Sequence, residues 1–340
     1  MEILPEPEGK SRKISIVWHG ISPTTDVCRA AATKNFTNWD AGVVSAFFMD
    51  WKLSILPIIA ALFYSFSVVL VKVASREGGV RATSMLAATN LMLAAVFAPV
   101  ALCGELPPAG ELWKPLIVGT FFALANYTTF LCAHYGEVSL MTPIMGVKVL
   151  LVLAAAAVIT DVACSPIMLA AGVLCCAAVF VMGFDKSSLA GGKLLPTISL
   201  ALITCTFYAL CDVLVSFLGK AFDPFAFLGM TSIVLVVSSL PFMPQMCADF
   251  RPSNKSFGAG LAAAALMAFE SMLMFRALAG GLDVGLCNIF YNTRGLMSIA
   301  LVYFLADKYP ELEKLSRASA QRRIFGSIMI LVAVAIACIG

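Results

Sequence analysis

Charge is what this chain has least of. Asp, Glu, Lys and Arg together make up 13% of its 340 residues, where soluble domains hold about a quarter. So few charges cannot cover a water-facing surface, which excludes an ordinary soluble domain. Histidine is almost missing. His19 and His134 are the whole supply, so no zinc-type ligand spacing exists and no metal or other cofactor is expected. The net charge of +3 is spread among loops. No basic patch carries interleaved aromatics, which argues against a nucleic-acid partner. Nucleophile–base motifs and phosphate loops are absent too, so an enzyme is the weaker expectation, and any driving force is a gradient rather than ATP. Residues 1–48 lack the basic, then apolar, then small-residue layout of a signal peptide. Cysteine, at eleven residues, is not scarce. Most cysteines (Cys132, Cys175, Cys176, Cys205, Cys211, Cys287 and Cys338) lie inside apolar runs, where they act as small hydrophobes rather than a disulfide framework. Cys175 and Cys176 are adjacent and so point to different faces.

Apolar sequence is what the chain has in abundance. Hydrophobic residues are 60% of it and the mean hydropathy is +0.93, the composition of a multi-pass membrane protein. From Ser54 onward, apolar runs alternate with short breaks rich in Gly, Pro and charge, such as Gly104-Glu105-Leu106-Pro107-Pro108. A helix needs about 20 residues to cross the hydrocarbon, and lipid leaves backbone groups no other partner. The fold expected is therefore an all-α membrane protein with ten transmembrane helices: 54–74, 82–103, 113–133, 138–160, 165–184, 196–219, 224–246, 257–279, 284–305 and 321–339. Residues 1–51, polar and without pattern, read as a disordered N-terminal tail. Met49 is a natural start for the functional protein, with the tail dispensable. Asn35-Phe36-Thr37 is a glycosylation triplet, meaningful only in a secretory pathway. The break from Asp307 to Ala320 is charged and reads as a surface helix or mobile loop.

Two apolar segments match at one fixed offset. Glu137 to Leu150 aligns with Asp283 to Leu296, acid on acid, Val138 on Val284, and Lys148 on Arg294, 146 residues apart. Phe63-Tyr64-Ser65-Phe66-Ser67-Val68 in the first span aligns with Phe207-Tyr208-Ala209-Leu210-Cys211-Asp212 in the sixth. Thr89 and Pro99 align with Thr231 and Pro241, and Gly172 with Gly326. The matches keep chain order, which predicts an internal repeat: five spans in 52–190 and five in 191–340. An odd number of spans inverts the second half. Inverted repeats are a transporter architecture, with a site expected near the midplane.

On the five-plus-five layout, Phe63-Tyr64 and Phe207-Tyr208, Pro143 in the fourth span, and Gly172 and Gly326, the chain resembles the drug/metabolite transporter superfamily, in particular its EamA-type ten-helix members. The resemblance covers about residues 52–340 and departs in two places. Ile289 stands where the fourth span has Pro143, and the 307–320 loop is longer than usual. It implies a secondary-active transporter working by alternating access in a plasma or inner cell membrane, with both termini cytoplasmic. The bias of Lys and Arg toward loops after odd-numbered spans argues for the opposite orientation. We take the orientation that the resemblance implies. A Lys in span four and a cation in span nine also resemble the branches that carry anionic sugar compounds. The partners expected are a small polar, anion-bearing molecule and the lipid bilayer, with a homodimer allowed.

Four ionisable residues lie well inside spans: Lys148, Asp212, Glu270 and Arg294. Burying a charge there costs about 3 kcal/mol on insertion scales, so each is expected to have a use. Lys148 and Arg294 form a substrate clamp, or else Asp212 and Glu270 neutralise them in structural ion pairs. Arg294 is the stronger ligand, flanked by Tyr291, Asn292 and Thr293, with Asn288 one turn below. Glu270 is a proton-coupling carboxylate or the counter-ion of a cation. Asp212 is similar but nearer a membrane face. Tyr64, Tyr208 and the polar band Asn126-Tyr127-Thr128-Thr129 line the cavity, or only hydrogen-bond between helices. Gly260, Ala264 and Ala268 form a packing stripe, and Pro99 and Pro143 are candidate kinks.

Overall fold

The computed structural model describes residues 51–75, 79–103, 108–135, 144–160, 165–183, 194–305 and 317–339. The tail with Asn35 and Met49, the kink at Pro143, Glu137 and loop residues 306–316 lie outside the described residues. Every regular element among the described residues is helical, as the long apolar runs require: α1 (Trp51–Ala74), α2 (Ala82–Cys103), α3 (Trp113–Tyr135), α4 (Lys148–Thr160), α5 (Pro166–Gly183), α6 (Leu194–Leu218), α7 (Pro224–Ser239), α8 (Met243–Asp249), α9 (Phe257–Ala279), α10 (Val284–Tyr291), α11 (Arg294–Leu305) and α12 (Arg317–Ile339).

Among the described residues, five stretches are long and apolar enough to cross a membrane: Lys52–Val71, Ala82–Pro99, Leu195–Leu218, Pro224–Asp249 and Phe257–Ala279. Three shorter apolar helices, Lys148–Thr160, Pro166–Met182 and Ile324–Ile339, accompany them. Large apolar side chains stand on the outside, among them Val158 at 79% exposure and Phe304 at 76%. Water would not tolerate such a surface, whereas lipid does. The architecture is that of a membrane protein.

The helices pack in pairs. α1 lies against α9, α2 against α7, α3 against α6 and α5 against α12; α4 packs on α6, while α10 and α11 pack on α1. Apolar surface gains little by leaving lipid for protein, so close approach between small residues has to hold such pairs together. Gly229 on α7 meets α2 so tightly that a Cβ there would stand 2.2 Å from the Phe97 carbonyl oxygen. Gly326 on α12 plays the same part against Ala178 and Met182 of α5. The stripe Gly260, Ala264 and Ala268 is buried on α9 as expected. At one end of the α2–α7 pair, Arg81 grips Asp249 with both arms of its guanidinium, each at 2.9 Å, and Ser84 donates to the same carboxylate at 2.7 Å. This hydrogen bonding holds the Arg81 pKa above its ordinary value.

Two acids that open segments turn out to be helix caps. Asp223 accepts hydrogen bonds from the backbone N–H groups of Phe225 and Ala226, and Pro224 takes the first helical position. Asp283 accepts from Leu286 N–H at 2.8 Å. Ahead of it the chain turns through Gly281 at φ +97°, a conformation that favours glycine.

Two long apolar segments are not single α-helices. The span expected at 284–305 is interrupted at Asn292–Thr293, between α10 and α11. The span expected at 138–160 has helical residues at 144–145, a turn at 146–147, and α4 from Lys148. The cause is local. Thr293 N–H bonds Phe290 O and Gly295 N–H bonds Asn292 O, each three residues back, before Met297 N–H returns to the four-residue spacing on Thr293 O. Val147 on Ile144, Val149 on Gly146 and Leu151 on Val147 repeat that pattern. Each of these three donors lies 146 residues before its counterpart. Such tightened turns inside helices are points of hinge and strain.

Candidate functional site

The tightened turns set where the cations sit. Lys148 and Arg294 are the first residues of α4 and α11. Both side chains turn to the ring of Tyr291: Lys148 Nζ lies 5.8 Å from its centroid and Arg294 Cζ 4.6 Å. Each also lies over the tyrosine of one other helix, Lys148 over Tyr208 of α6 at 5.3 Å and Arg294 over Tyr64 of α1 at 4.9 Å. Tyr64 meets Tyr291 edge-on at 6.0 Å. Lys148, Arg294 and Tyr64 therefore share Tyr291 as a neighbour, and Tyr208 lies against Lys148.

The two cations differ in their counter-charge. Lys148 Nζ pairs with Asp212 Oδ2 at 2.7 Å, and both side chains are about nine-tenths buried. Asn288 Nδ2 donates to the same oxygen at 2.9 Å. Asp212 is thus buried among the helices beside Lys148. Arg294 makes no ion pair among the described residues; the tyrosine faces are its neighbours, with Glu270 acting from beyond Tyr291. Tyr291 OH donates to Glu270 Oε1 at 2.6 Å, and Ser271 Oγ donates to Oε2 at 3.3 Å.

Arg294, Glu270 and Tyr208 lie deep among protein atoms, yet each keeps some accessible surface. Around Tyr291 the walls are tyrosine rings, one guanidinium and one carboxylate. Such walls suit a polar guest with a charged end, since Arg offers a planar fork to an oxyanion and the rings offer π faces. An apolar groove of about 490 Å³ also runs along α5, lined by Leu169, Val173 and Leu174 among others, and it carries none of these charges.

Other expected site residues have other partners. Asn126 accepts from Tyr208 OH at 2.7 Å and donates to Asn90 Oδ1 at 3.4 Å, and Asn90 donates to Ser239 Oγ at 2.8 Å. This is a relay across α6, α3, α2 and α7, the inter-helix alternative for that band. Thr128 and Thr204 add a buried bond of 2.9 Å between α3 and α6. Asn292, expected beside Arg294 at the ligand, is buried and donates to Cys175 Sγ of α5 at 3.3 Å. Asn292 and Arg294 are two residues apart, and that spacing puts side chains on different sides of a helix. Asn90 and Ser239 went unmarked because single polar residues in apolar runs carry no pattern. Ser65, which donates to the Arg294 carbonyl oxygen at 3.1 Å, tethers α1 to the start of α11.

Fold and site together define a class: an all-helical membrane protein in which one cation is paired with a carboxylate and a second, with no ion pair among the described residues, lies over two tyrosine rings. No protein-family profile matches the chain, and no curated protein does. A solved structure described only as a crystal structure of a protein is similar in fold, with a TM-score of 0.62 at 17% identity, covering 84% of this chain and 98% of that one.

Proposed function

We propose that the chain is a secondary-active transporter of small, polar, anion-bearing metabolites, built as ten transmembrane helices in two inverted five-helix repeats and similar in plan to EamA-type drug/metabolite transporters. One observation carries the reading: the tightened turns at 146–149 and 292–295, at one sequence offset, each placing a cation over a tyrosine. Interrupted helices at matching positions in two halves are the usual mark of a transporter site. The packing supports it as well. Exchanging each helix for its match turns α1 on α9 into α6 on α3, and α10–α11 on α1 into α4 on α6, while α2–α7 and α5–α12 map onto themselves. The cation contacts exchange in the same way, Lys148 with Tyr208 for Arg294 with Tyr64.

In this reading Arg294 holds the anionic group, the tyrosines wall the site, and Glu270 is the acid that senses the substrate or the coupling proton. Lys148 is structural, because Asp212 already neutralises it. The halves rock about the midplane to open the site to each side in turn, and no bond in the substrate is made or broken. The residence proposed is a plasma or inner cell membrane with both termini cytoplasmic, which a reporter fused after Gly340 checks. The central test is counterflow of a panel of labelled anionic metabolites in liposomes holding wild-type or Arg294→Gln protein. Exchange of at least one anion by the wild type, lost in the variant at equal reconstitution, is the expected result. Equal exchange by both proteins, or none by either, overturns the assignment.

A further inference from the structure

We propose that the site takes a zwitterion, with its carboxylate or phosphate on Arg294 and its ammonium on Glu270. The proposal rests on the transporter reading above and narrows its substrate class. Lys148, Asp212, Glu270 and Arg294 are charges carried within the apolar segments. Lys148 and Asp212 cancel at 2.7 Å, nearly sealed from solvent, and Asn288 fixes the pair. That leaves one positive and one negative group, Arg294 and Glu270. Both lie deep, both keep accessible surface, and neither makes an ion pair among the described residues.

Tyr291 keeps them apart. Its ring stacks against the guanidinium at 4.6 Å while its hydroxyl donates to the carboxylate at 2.6 Å. The tyrosine is itself buried, and its edge contact with Tyr64 holds it in place. Two opposite charges held apart in a space of low dielectric, with no direct pairing, are poorly compensated. A guest with charges in the reverse order compensates both. A simple anion would satisfy Arg294 and be repelled by Glu270; a simple amine would meet the converse. The aromatic faces of Tyr64 and Tyr291 add favourable ground for an ammonium and for an apolar body between the two ends. Discrimination against molecules lacking one end then comes from a buried group left without its partner, the strongest source of selectivity a site has.

The test uses the full chain in nanodiscs and direct binding of four sets of probes. Each set is a zwitterion with its deaminated and its anion-free counterpart: alanine, propionate and ethylamine; leucine, 4-methylpentanoate and 3-methylbutylamine; phenylalanine, 3-phenylpropionate and 2-phenylethylamine; phosphoethanolamine, ethyl phosphate and ethanolamine. In at least one set the zwitterion is expected to bind roughly tenfold or more tightly than either counterpart. Glu270→Gln keeps an acceptor for Tyr291 and should erase the advantage over the deaminated anion. Glu270→Asp should retain the advantage at weaker affinity. If the anion equals the zwitterion in every set and Arg294→Gln abolishes both, the zwitterion proposal is overturned while the anion-transporter reading stands. A zwitterion preference that survives Glu270→Gln also overturns it. If no probe binds to protein whose thermal midpoint shows it folded, both readings fall.

Discussion

Removing the Asp212 carboxylate tests the account of the buried charges most directly. In Asp212→Ala the Lys148 ammonium keeps its place at the start of α4 and loses its only carboxylate within ion-pair range among the described residues. Both side chains are about nine-tenths buried, so solvent cannot substitute for the lost anion. Breaking such a pair from one side costs about 3–5 kcal/mol. Asn288 Nδ2 is a donor and cannot help; it loses its acceptor on Asp212 as well. For a chain of this size each kcal/mol moves the midpoint by about 2–4 °C. Thermal unfolding in one detergent should therefore fall by roughly 6–20 °C. The double variant Lys148→Met with Asp212→Val removes both charges and should recover most of the loss, because an apolar pair of similar volume is close to neutral. A midpoint within about 2 °C of wild type for Asp212→Ala would refute the reasoning. So would a double variant as unstable as the two single variants combined.

Three further outcomes follow from the geometry. Arg294→Lys keeps the charge but loses the planar fork and its stacking on Tyr64 and Tyr291, so anion binding should weaken by about tenfold or more while stability falls by only about 1 kcal/mol, read by titration and melting together. Gly229→Ala places a methyl 2.2 Å from the Phe97 carbonyl oxygen and should cost about 1–3 kcal/mol by forcing α2 from α7, seen as a lower melting midpoint. Amide hydrogen exchange should be faster at Val147, Val149, Thr293 and Gly295 than in the flanking helices, since their bonds span three residues rather than four; uniform protection through both segments would show that no hinge exists there.

The sequence made the helical class legible because apolar runs of membrane-crossing length have few alternatives in lipid. It also made the partners at the site legible in pairs. Lys148 with Arg294 and Tyr64 with Tyr208 were aligned by offset alone, and the structure sets Lys148, Arg294 and Tyr64 against Tyr291, with Tyr208 against Lys148. Three things were not legible. The interruptions at 146–147 and 292–293 come from a change in hydrogen-bond spacing, which apolar composition does not encode. The partner of Asn292, Cys175 of α5, depends on which helix packs against that side. The relay from Tyr208 through Asn126 and Asn90 to Ser239 depends on the packing of four helices, and the sequence gives no distances between helices.

One asymmetry was in the alignment all along, and it leads to the sharpest test. Tyr64 aligns with Tyr208, and four residues on, Val68 aligns with Asp212. One helical turn after the tyrosine, α6 carries the acid that neutralises Lys148, while α1 carries the apolar Val68 one turn after Tyr64, whose ring faces Arg294. If the two halves are truly equivalent, Val68→Asp puts a carboxylate beside Arg294 where Asp212 stands beside Lys148. Residues four apart lie on one helix face, and Val68 is only partly buried, so the new acid has room. A close pair of this kind occupies the guanidinium, and an external anion must then displace the internal one. Anion binding should fall by about a hundredfold, while the melting midpoint stays level or rises, because the variant adds a partner rather than removing one. The proof of equivalence is the double variant Val68→Asp with Arg294→Gln. It should be less stable than Val68→Asp alone, by about the 3–5 kcal/mol that an orphaned buried carboxylate costs. If Val68→Asp leaves anion binding intact, the matched turns and tyrosines do not reflect a shared local geometry, and the two-half reading of the site is wrong at its centre.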